Sequence, residues 1–342
     1  MDFGMFTDFH IRPGLTQAQA FDESFNQVDA AEELGLDSVW LAEHHFSPDR
    51  AVLAAPIAIA SAIAARTNRI RLGLAVQVLP LANPLRVAEE AATVDHISKG
   101  RFDFGVGRSG LTKYYQGYNV PYSESRARFM ESLEIILKAW TEERFSHEGE
   151  YHTFHDVTVV PKPYQKPHPP TRIAMAGEET FPLMGKLGYP IFIGVNTPTP
   201  QLQERLTSYR NGREEAGHTG PDDVALRIPA YIAETGEKAR SEPEASARQA
   251  IQYAATELAT TAASQEIADR LQRTAATPYE EILKQRVMFG TPEEVVERLQ
   301  AYQEQLGISG VVLEMNYGGR IPYDRVINSM RLLAQKVVPM FK

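Results

Sequence analysis

Eight short runs rich in β-branched and aromatic residues alternate with amphipathic stretches from one end of the chain to the other, and this alternation limits the possible folds more than any other feature. The runs are Phe3–Phe9, Ser38–Ala42, Ile70–Leu79, Arg101–Gly107, Thr171–Ala176, Pro190–Val195, Ala225–Ala233 and Gly310–Met315. Between them, helical spacing is plain in Phe21, Phe25, Val28 and Ala31, in Phe129, Leu133, Ile136 and Trp140, and in Val326, Met330, Leu333 and Val337. Thr291-Pro292-Glu293-Glu294 adds a capping residue, a proline at the first helical position and acid in the first turn. Strand followed by crossover helix, repeated eight times, predicts an α/β fold of the (β/α)8 TIM-barrel class rather than an open sheet. A chain of 342 residues has the length for one such barrel with insertions, a single domain over 1–342.

Two stretches exceed a minimal barrel. Residues 144–170 place Gly149 and five prolines around Tyr151–Phe154 and Val157–Val160, which predicts a hairpin insertion after the fourth helix and a proline-stiffened return. Its histidines, His147, His152, His155 and His168, match no helical metal-ligand spacing, and no metal centre is expected. Residues 236–290 are rich in Ala, Thr, Glu and Arg with few large apolar side chains, so an extra helical segment is expected before the last strand, as a surface helix pair or a lid over the barrel mouth.

Composition narrows the partners. A formal net charge of -9 leaves no cation excess to exchange for counterions, which argues against nucleic acid or an anionic membrane while leaving room for a local basic pocket. Cysteine is absent, so disulfides, thiolate metal sites and cysteine nucleophiles are excluded, and a cytoplasmic location is expected. Met1-Asp2-Phe3-Gly4 carries no basic segment ahead of an apolar core. The apolar run 51–65 is too short to span a bilayer and contains Pro56, which makes it a buried helix.

Barrel enzymes carry their reactive groups on the loops that follow strand C-termini. Those positions here hold Asp8 and His10, then Glu43-His44-His45, Gln77, Arg108-Ser109, Glu178-Glu179-Thr180, Asn196, and Asn316 to Arg320. Imidazoles titrate near neutral pH, and the clustering of polar groups predicts an enzyme with proton transfer at the histidine turn. Gly105-Val106-Gly107-Arg108-Ser109-Gly110 formally satisfies G-x-G-x-x-G, but it follows the fourth strand and opens no periodic helix. Close backbone approach to a flat ligand, with Arg108 pairing an anion, accounts for it better than a dinucleotide fold. Gly177-Glu178-Glu179-Thr180 begins a helix that would favour a phosphate, or is a simple cap; Gly318-Gly319-Arg320 after the last strand is a rival anion site.

With order and spacing kept, Trp40 to Phe46, Leu72-Gly73, Val78-Leu79-Pro80, Asn83-Pro84, Asp95, Ser98 to Phe102, Gly105, Pro161-Lys162-Pro163 and Gly290 to Glu294 resemble the bacterial luciferase-like, alkanal monooxygenase-like family of flavin-dependent monooxygenases. The resemblance covers almost the whole chain. It implies a barrel that takes reduced FMN from a separate flavin reductase and forms a C4a-hydroperoxide with O2, which oxygenates a small organic substrate such as an aldehyde or ketone. By position, Arg108, Arg126, Gly177, Glu178 and Thr180 would meet the phosphate, and Ala75-Val76 would be a non-prolyl cis peptide beneath the isoalloxazine. His44 would be the general base or proton shuttle, positioned by Glu43 or a nearby backbone group. Phe6, Phe46, Tyr114 and Val195 would be apolar walls. A dimer, with itself or with a paralogous subunit, is implied through the helices after the early strands. The same scaffold also admits an F420-dependent oxidoreductase or a non-catalytic partner subunit. Gly107 and Tyr114 stand where the light-emitting subunit has a cysteine and, nearby, an aspartate, so light emission is not expected.

Overall fold

The eight runs form β1 (Asp2–Thr7), β2 (Ser38–Leu41), β3 (Arg71–Leu74, resuming at Gln77–Val78), β4 (Phe102–Gly107), β5 (Thr171–Ala174), β6 (Ile191–Gly194), β7 (Val224–Ile232) and β8 (Gly310–Glu314) in a computed structural model that describes every residue except 176 and 196. Each strand pairs in parallel with the next, and β8 pairs with β1, so the sheet closes into the expected barrel. Parallel pairing sends every strand C-terminus to one mouth.

The crossovers are α1 (Gln17–Leu34), α2 (Pro56–Arg66), α3 (Pro84–Ile97), α4 (Ser125–Thr141), α5 (Thr180–Lys186), α6 (Thr199–Glu215) and α7 (Pro292–Leu306), with α8 (Tyr323–Leu332) after the last strand. The Thr291 cap is a full capping box: its hydroxyl accepts from the Glu294 N–H, and the Glu294 carboxylate accepts from the Thr291 N–H at 2.8 Å. α2 buries Pro56, Ile57, Ala60, Ile63 and Ala64 against its neighbours, and no helix of the described residues is long and apolar enough to cross a membrane.

Inside the barrel a small separate core consists of Phe6, Trp40, Ala42, Phe192, Ala225 and Val312. The Trp40 indole fills the lower half, edge-on to Phe192 at 4.8 Å between centroids. It fits because Gly73 faces it: a Cβ there would lie 2.0 Å from the indole ring. Nearer the mouth the lining shrinks to Ala75, Val76 and Ala174, which are only partly buried. The barrel is therefore packed below and left open above.

Both insertions are present. Phe145–Glu148 and Thr153–Val157 form an antiparallel hairpin, pinned to α4 by the Glu131 carboxylate, which accepts from the backbone N–H groups of Tyr151 and His152. The second insertion is larger than a helix pair. It contains helices Gly236–Ser241, Glu244–Tyr253, Gln265–Ala275 and Tyr279–Gln285, then a strand, Met288–Gly290, that extends the sheet beside the upper end of β7. It is tied down across the mouth: Thr112 donates its N–H to the Thr261 carbonyl at 2.9 Å, and the Ser246 hydroxyl donates to the Tyr317 carbonyl at 2.7 Å.

The glycines of the G-x-G-x-x-G stretch have a packing role. A Cβ on Gly105 would fall 1.7 Å from the Leu74 carbonyl oxygen, and one on Gly107 would fall 2.7 Å from Val76 Cγ2, so both let the irregular 74–76 segment press against β4. Gly110 meets nothing within 4 Å. Gly105→Ala should therefore cost about 2–4 kcal/mol of stability in a urea titration, while Gly110→Ala should stay within about 0.5 kcal/mol of the parent. Equal midpoints for the two variants would show that this contact does not shape the barrel.

Candidate active site

Among the described residues, six buried side-chain polar atoms have no hydrogen-bond partner, and five of them belong to Asp8, His10, His44, Arg205 and Arg227 at or just beneath the barrel mouth. An unsatisfied buried polar group costs about 1–3 kcal/mol, so this concentration marks the mouth as a place where chemistry is favoured over stability. The mouth opens into a cavity of about 710 Å³, lined by His10, Arg50, Val195, Arg227 and Tyr317 below and by the 249–258 stretch of the insertion above.

His44 leaves the end of β2 with one ring nitrogen hydrogen-bonded and the other facing a carboxylate. Nδ1 lies 3.0 Å from the Tyr114 hydroxyl, and Nε2 lies 3.3 Å from Asp8 Oδ2, close but poorly aligned as a hydrogen bond. Burial, reinforced by the Arg50 guanidinium, pushes the imidazole down to about 4 against the opposing pull of Asp8. The ring is neutral at physiological pH. The ionised Asp8 carboxylate can only accept, which assigns the single proton of the neutral ring to Nε2 and leaves Nδ1 to accept from the Tyr114 hydroxyl, whose phenol burial pushes up to about 12.

Asp8 is the hub. Its Oδ2 accepts from Arg50 at 3.0 Å and also faces His10 Nε2 at 3.6 Å. Burial acts to raise its carboxyl, but the adjoining His44 and Arg50 hold it well below the usual carboxylate range. Arg227 mirrors this arrangement on the next wall, donating to Glu314 at 2.6 Å while its guanidinium lies 3.7 Å from the centre of the Phe6 ring. Asp8, His10 and Glu314 carry donor atoms within 4.8 Å of one another. Arg50 and Arg227 already pair the two carboxylates, so the charge of the cluster is matched without a cation.

Of the two alternatives read from sequence, Glu43 or a nearby backbone group, Glu43 does not orient His44, whose backbone N–H donates to the Leu53 carbonyl at 2.9 Å. Its carboxylate holds His45 Nε2 at 2.8 Å and accepts the Val78 N–H at 2.9 Å, and His45 Nδ1 reaches the Tyr118 hydroxyl at 3.1 Å. Consecutive residues past the strand end turn to opposite sides: His44 faces the barrel axis, while Glu43 and His45 face the groove beside α2 and α3. Tyr114 also departs from its expected place. It is buried behind His44 as a hydrogen-bond donor and is no apolar wall. Phe46 is 56% exposed with its ring against Tyr118, away from the cavity. Val195 lines the cavity, and Phe6 lies one layer beneath it under Arg227.

A guanidinium cluster occupies the rim past β4 and β5. Arg108 donates to the Ser125 hydroxyl at 3.3 Å, Arg126 lies 3.9 Å from Glu179, and Arg205, on α6, lies 3.8 Å from Glu178. Thr180 donates its hydroxyl to the Gly177 carbonyl at 2.5 Å. Arg108, Arg126, Gly177, Glu178 and Thr180 are thus neighbours, joined by an Arg205 that sequence inspection missed because it sits inside a polar helix with no motif around it. The Ala75–Val76 peptide bond is cis and lies against Gly107, whose Cβ position is also 3.5 Å from Ala174. Asn196 lies outside the described residues.

A family model described as luciferase-like monooxygenase matches residues 1–309. An uncharacterized protein, y4wF, of Sinorhizobium fredii is 34% identical over half of this chain and half of its own length. The chain thus spans about half the length of the first curated relatives it matches. The alkanal monooxygenase alpha chain of Photorhabdus luminescens is 26% identical over 100% of this chain and 97% of its own. Among solved structures, the monooxygenase RslO1 from Streptomyces bottropensis superposes with a TM-score of 0.87 at 28% identity, covering both chains completely. An F420-dependent secondary alcohol dehydrogenase has a TM-score of 0.77 at 18% identity, covering 100% of this chain and 99% of its own, and shares the fold.

The depressed His44 pKa sets a pH dependence of stability. An unfolded histidine protonates at about 6.5, whereas this one protonates only near 4, so between those values proton binding favours the unfolded chain. The stability this contributes is complete above about pH 6.5 and is lost as the pH falls through 4. From neutral pH to about pH 4 the parent should lose up to about 3 kcal/mol more than His44→Asn, measured by urea titration at each pH. Parallel curves for the two proteins would mean that His44 is not held neutral.

Proposed function

The chain belongs to the luciferase-like monooxygenase family, and on that footing we propose that it is a flavin-dependent monooxygenase that uses reduced FMN and dioxygen to oxygenate a small organic substrate such as an aldehyde or ketone. The observation that carries this reading is the adjacency of a flat, small-residue surface (Ala75, Val76, Ala174) to a rim of three arginines at the open end of a barrel that is otherwise filled with side chains. A planar ring needs the first, and an anionic tail needs the second.

The residues present fit FMN. Arg108, Arg126 and Arg205 would hold the phosphate with the Gly177-Glu178-Glu179-Thr180 turn; the Glu178 and Glu179 carboxylates now lie against Arg205 and Arg126. Ala75 and Val76 would carry the ring, with Phe6 and Val195 toward the substrate. Bound reduced flavin supplies the electrons that activate dioxygen. The protein's part is to position, to exclude water and to move protons. Neutral His44 accepts a hydrogen bond from the Tyr114 hydroxyl at Nδ1 while its Nε2–H faces Asp8, so the ring is placed to pass a proton between its two sides. Glu43 acts one residue away, fixing His45 and through it the backbone that carries His44. The insertion across the mouth limits water at the reacting centre.

Residues 1–342 act as one barrel domain in this reading, with a separate reductase delivering the flavin. A second chain, identical or paralogous, is assigned to the groove of about 520 Å³ beside α2 and α3, where Ala54, Ala58, Leu81 and Ala82 meet Arg86 and Glu89.

Two substitutions test the assignment. Arg108→Ala should weaken reduced FMN binding by at least about tenfold while changing riboflavin binding far less, since a charge-assisted contact to phosphate amounts to about 1.5–3 kcal/mol. Equal losses for both ligands would detach Arg108 from the phosphate, and tighter binding of F420 than of FMN would favour a deazaflavin enzyme. His44→Ala should bind reduced FMN normally yet convert about a hundredfold less of whichever aldehyde or ketone the parent oxidises with photoreduced FMN and oxygen. Unchanged product yield would remove His44 from the chemistry.

A further inference from the structure

The cavity is cationic in a protein whose net charge is -9. Six arginines line it, Arg12, Arg50, Arg227, Arg270, Arg286 and Arg320, against the acids Asp49, Glu257 and Glu314. Three of the six are occupied: Arg12 by Glu23 at 2.5 Å, Arg50 by Asp8 at 3.0 Å and Arg227 by Glu314 at 2.6 Å. Among the described residues, none of Arg270, Arg286 and Arg320 has a carboxylate within 4.0 Å.

Arg286 is the least ordinary of them. It follows helix Tyr279–Gln285 and precedes the buried Val287 and the strand Met288–Gly290, which pairs with β7, so its backbone is held on both sides. Its side chain is half-buried beside Tyr317, and burial together with the like charge of Arg270 lowers the guanidinium below the ordinary arginine range while leaving it cationic. Arg320 enters on the Gly318-Gly319 turn that follows β8. Both glycines have positive φ, and the Arg320 N–H is fastened to the Ser246 hydroxyl at 2.9 Å. These cations belong to the β7–β8 side of the mouth, whereas Arg108 and Arg126 follow β4, half-way round the closed barrel.

We propose that Arg286, flanked by Arg270 and Arg320, is a second anion subsite that binds a carboxylate on the organic substrate, with the rest of that substrate lying toward Phe6 and Arg227. The proposal rests on the reading of this cavity as the substrate chamber of a flavin monooxygenase and adds the class of substrate: a carbonyl compound that also carries a carboxylate. Two anion sites on opposite walls also give the chamber polarity, with the flavin phosphate held at one side and the substrate acid at the other.

The test uses 2-naphthoate and its uncharged counterpart 2-naphthamide as probes, titrated calorimetrically into the full-length protein without flavin. Naphthoate should bind at least about tenfold more tightly than the amide, and Arg286→Gln should erase that preference while Arg286→Lys retains part of it. Arg320→Gln, on a separate turn, should reduce the preference in the same direction and guards against a folding defect in the first variant. Equal affinity for acid and amide, no saturable binding of either at millimolar concentration, or a preference that survives Arg286→Gln would overturn the subsite. FMN titrations of the same variants separate the two readings. Loss of FMN affinity in Arg286→Gln without loss of naphthoate affinity would make Arg286 a flavin-phosphate residue and overturn the inference. A parent that binds no FMN but still prefers naphthoate would sink the flavin reading and leave the subsite standing.

Discussion

A single buried carboxylate organises this barrel mouth. Asp8, at the end of β1 and 1% exposed, is held ionised by the Arg50 cation from the loop that follows β2, with His44 and the His10 of its own turn closing around it. Breaking such a cluster by removing one member strands a charge in low dielectric, which is far more costly than the pair is favourable. The arrangement therefore locks together two loops that also meet through the Val52 N–H and the Phe9 carbonyl. It also sets the chemistry of His44: Arg50 satisfies Asp8, and its positive charge, added to burial, keeps the imidazole neutral.

Above that hub, packing is deliberately incomplete. Trp40 and Phe192 fill the lower barrel, and the residues that would form the next layer are alanine, valine and glycine. A barrel built for stability alone would fill that layer throughout with side chains of the size of valine, isoleucine or leucine. What the open layer provides is a flat surface beside cationic rims, with polar atoms left unpaired at their margin. The second insertion then roofs this space, tied to the Thr112 loop and to the β8 turn, so the chamber is bounded by rigid backbone.

Much of the fold was legible in the residues, and the reason is periodicity. All eight strands and several of the crossovers could be read from alternation of apolar runs, because a parallel barrel buries its strands on both faces and its helices on one. The strand Met288–Gly290 escaped notice because three residues carry no period, and its pairing partner at the end of β7 is about sixty positions earlier in the chain. The insertion was recognised by composition as helical, but its four helices and their tethers were not, since few large apolar residues mark their inner faces.

Chemistry-bearing residue types at strand ends were likewise visible from sequence alone: the histidine pair, the arginine after β4, and the glycine-threonine turn. Their partnerships were not. Adjacency in sequence suggested that Glu43 serves His44, yet the chain turns between them and the carboxylate that faces His44 is Asp8, thirty-six positions earlier. Tyr114 looked like a wall and is a hydrogen-bond partner of His44; Arg205, which no sequence motif marked, joins the cationic rim. Sequence determined the barrel and the kinds of group available at its mouth, because local pattern dictates which faces are buried. Only the tertiary structure decided which group meets which, because those contacts are set by how loops from different strands fold over one another, and no local period encodes that.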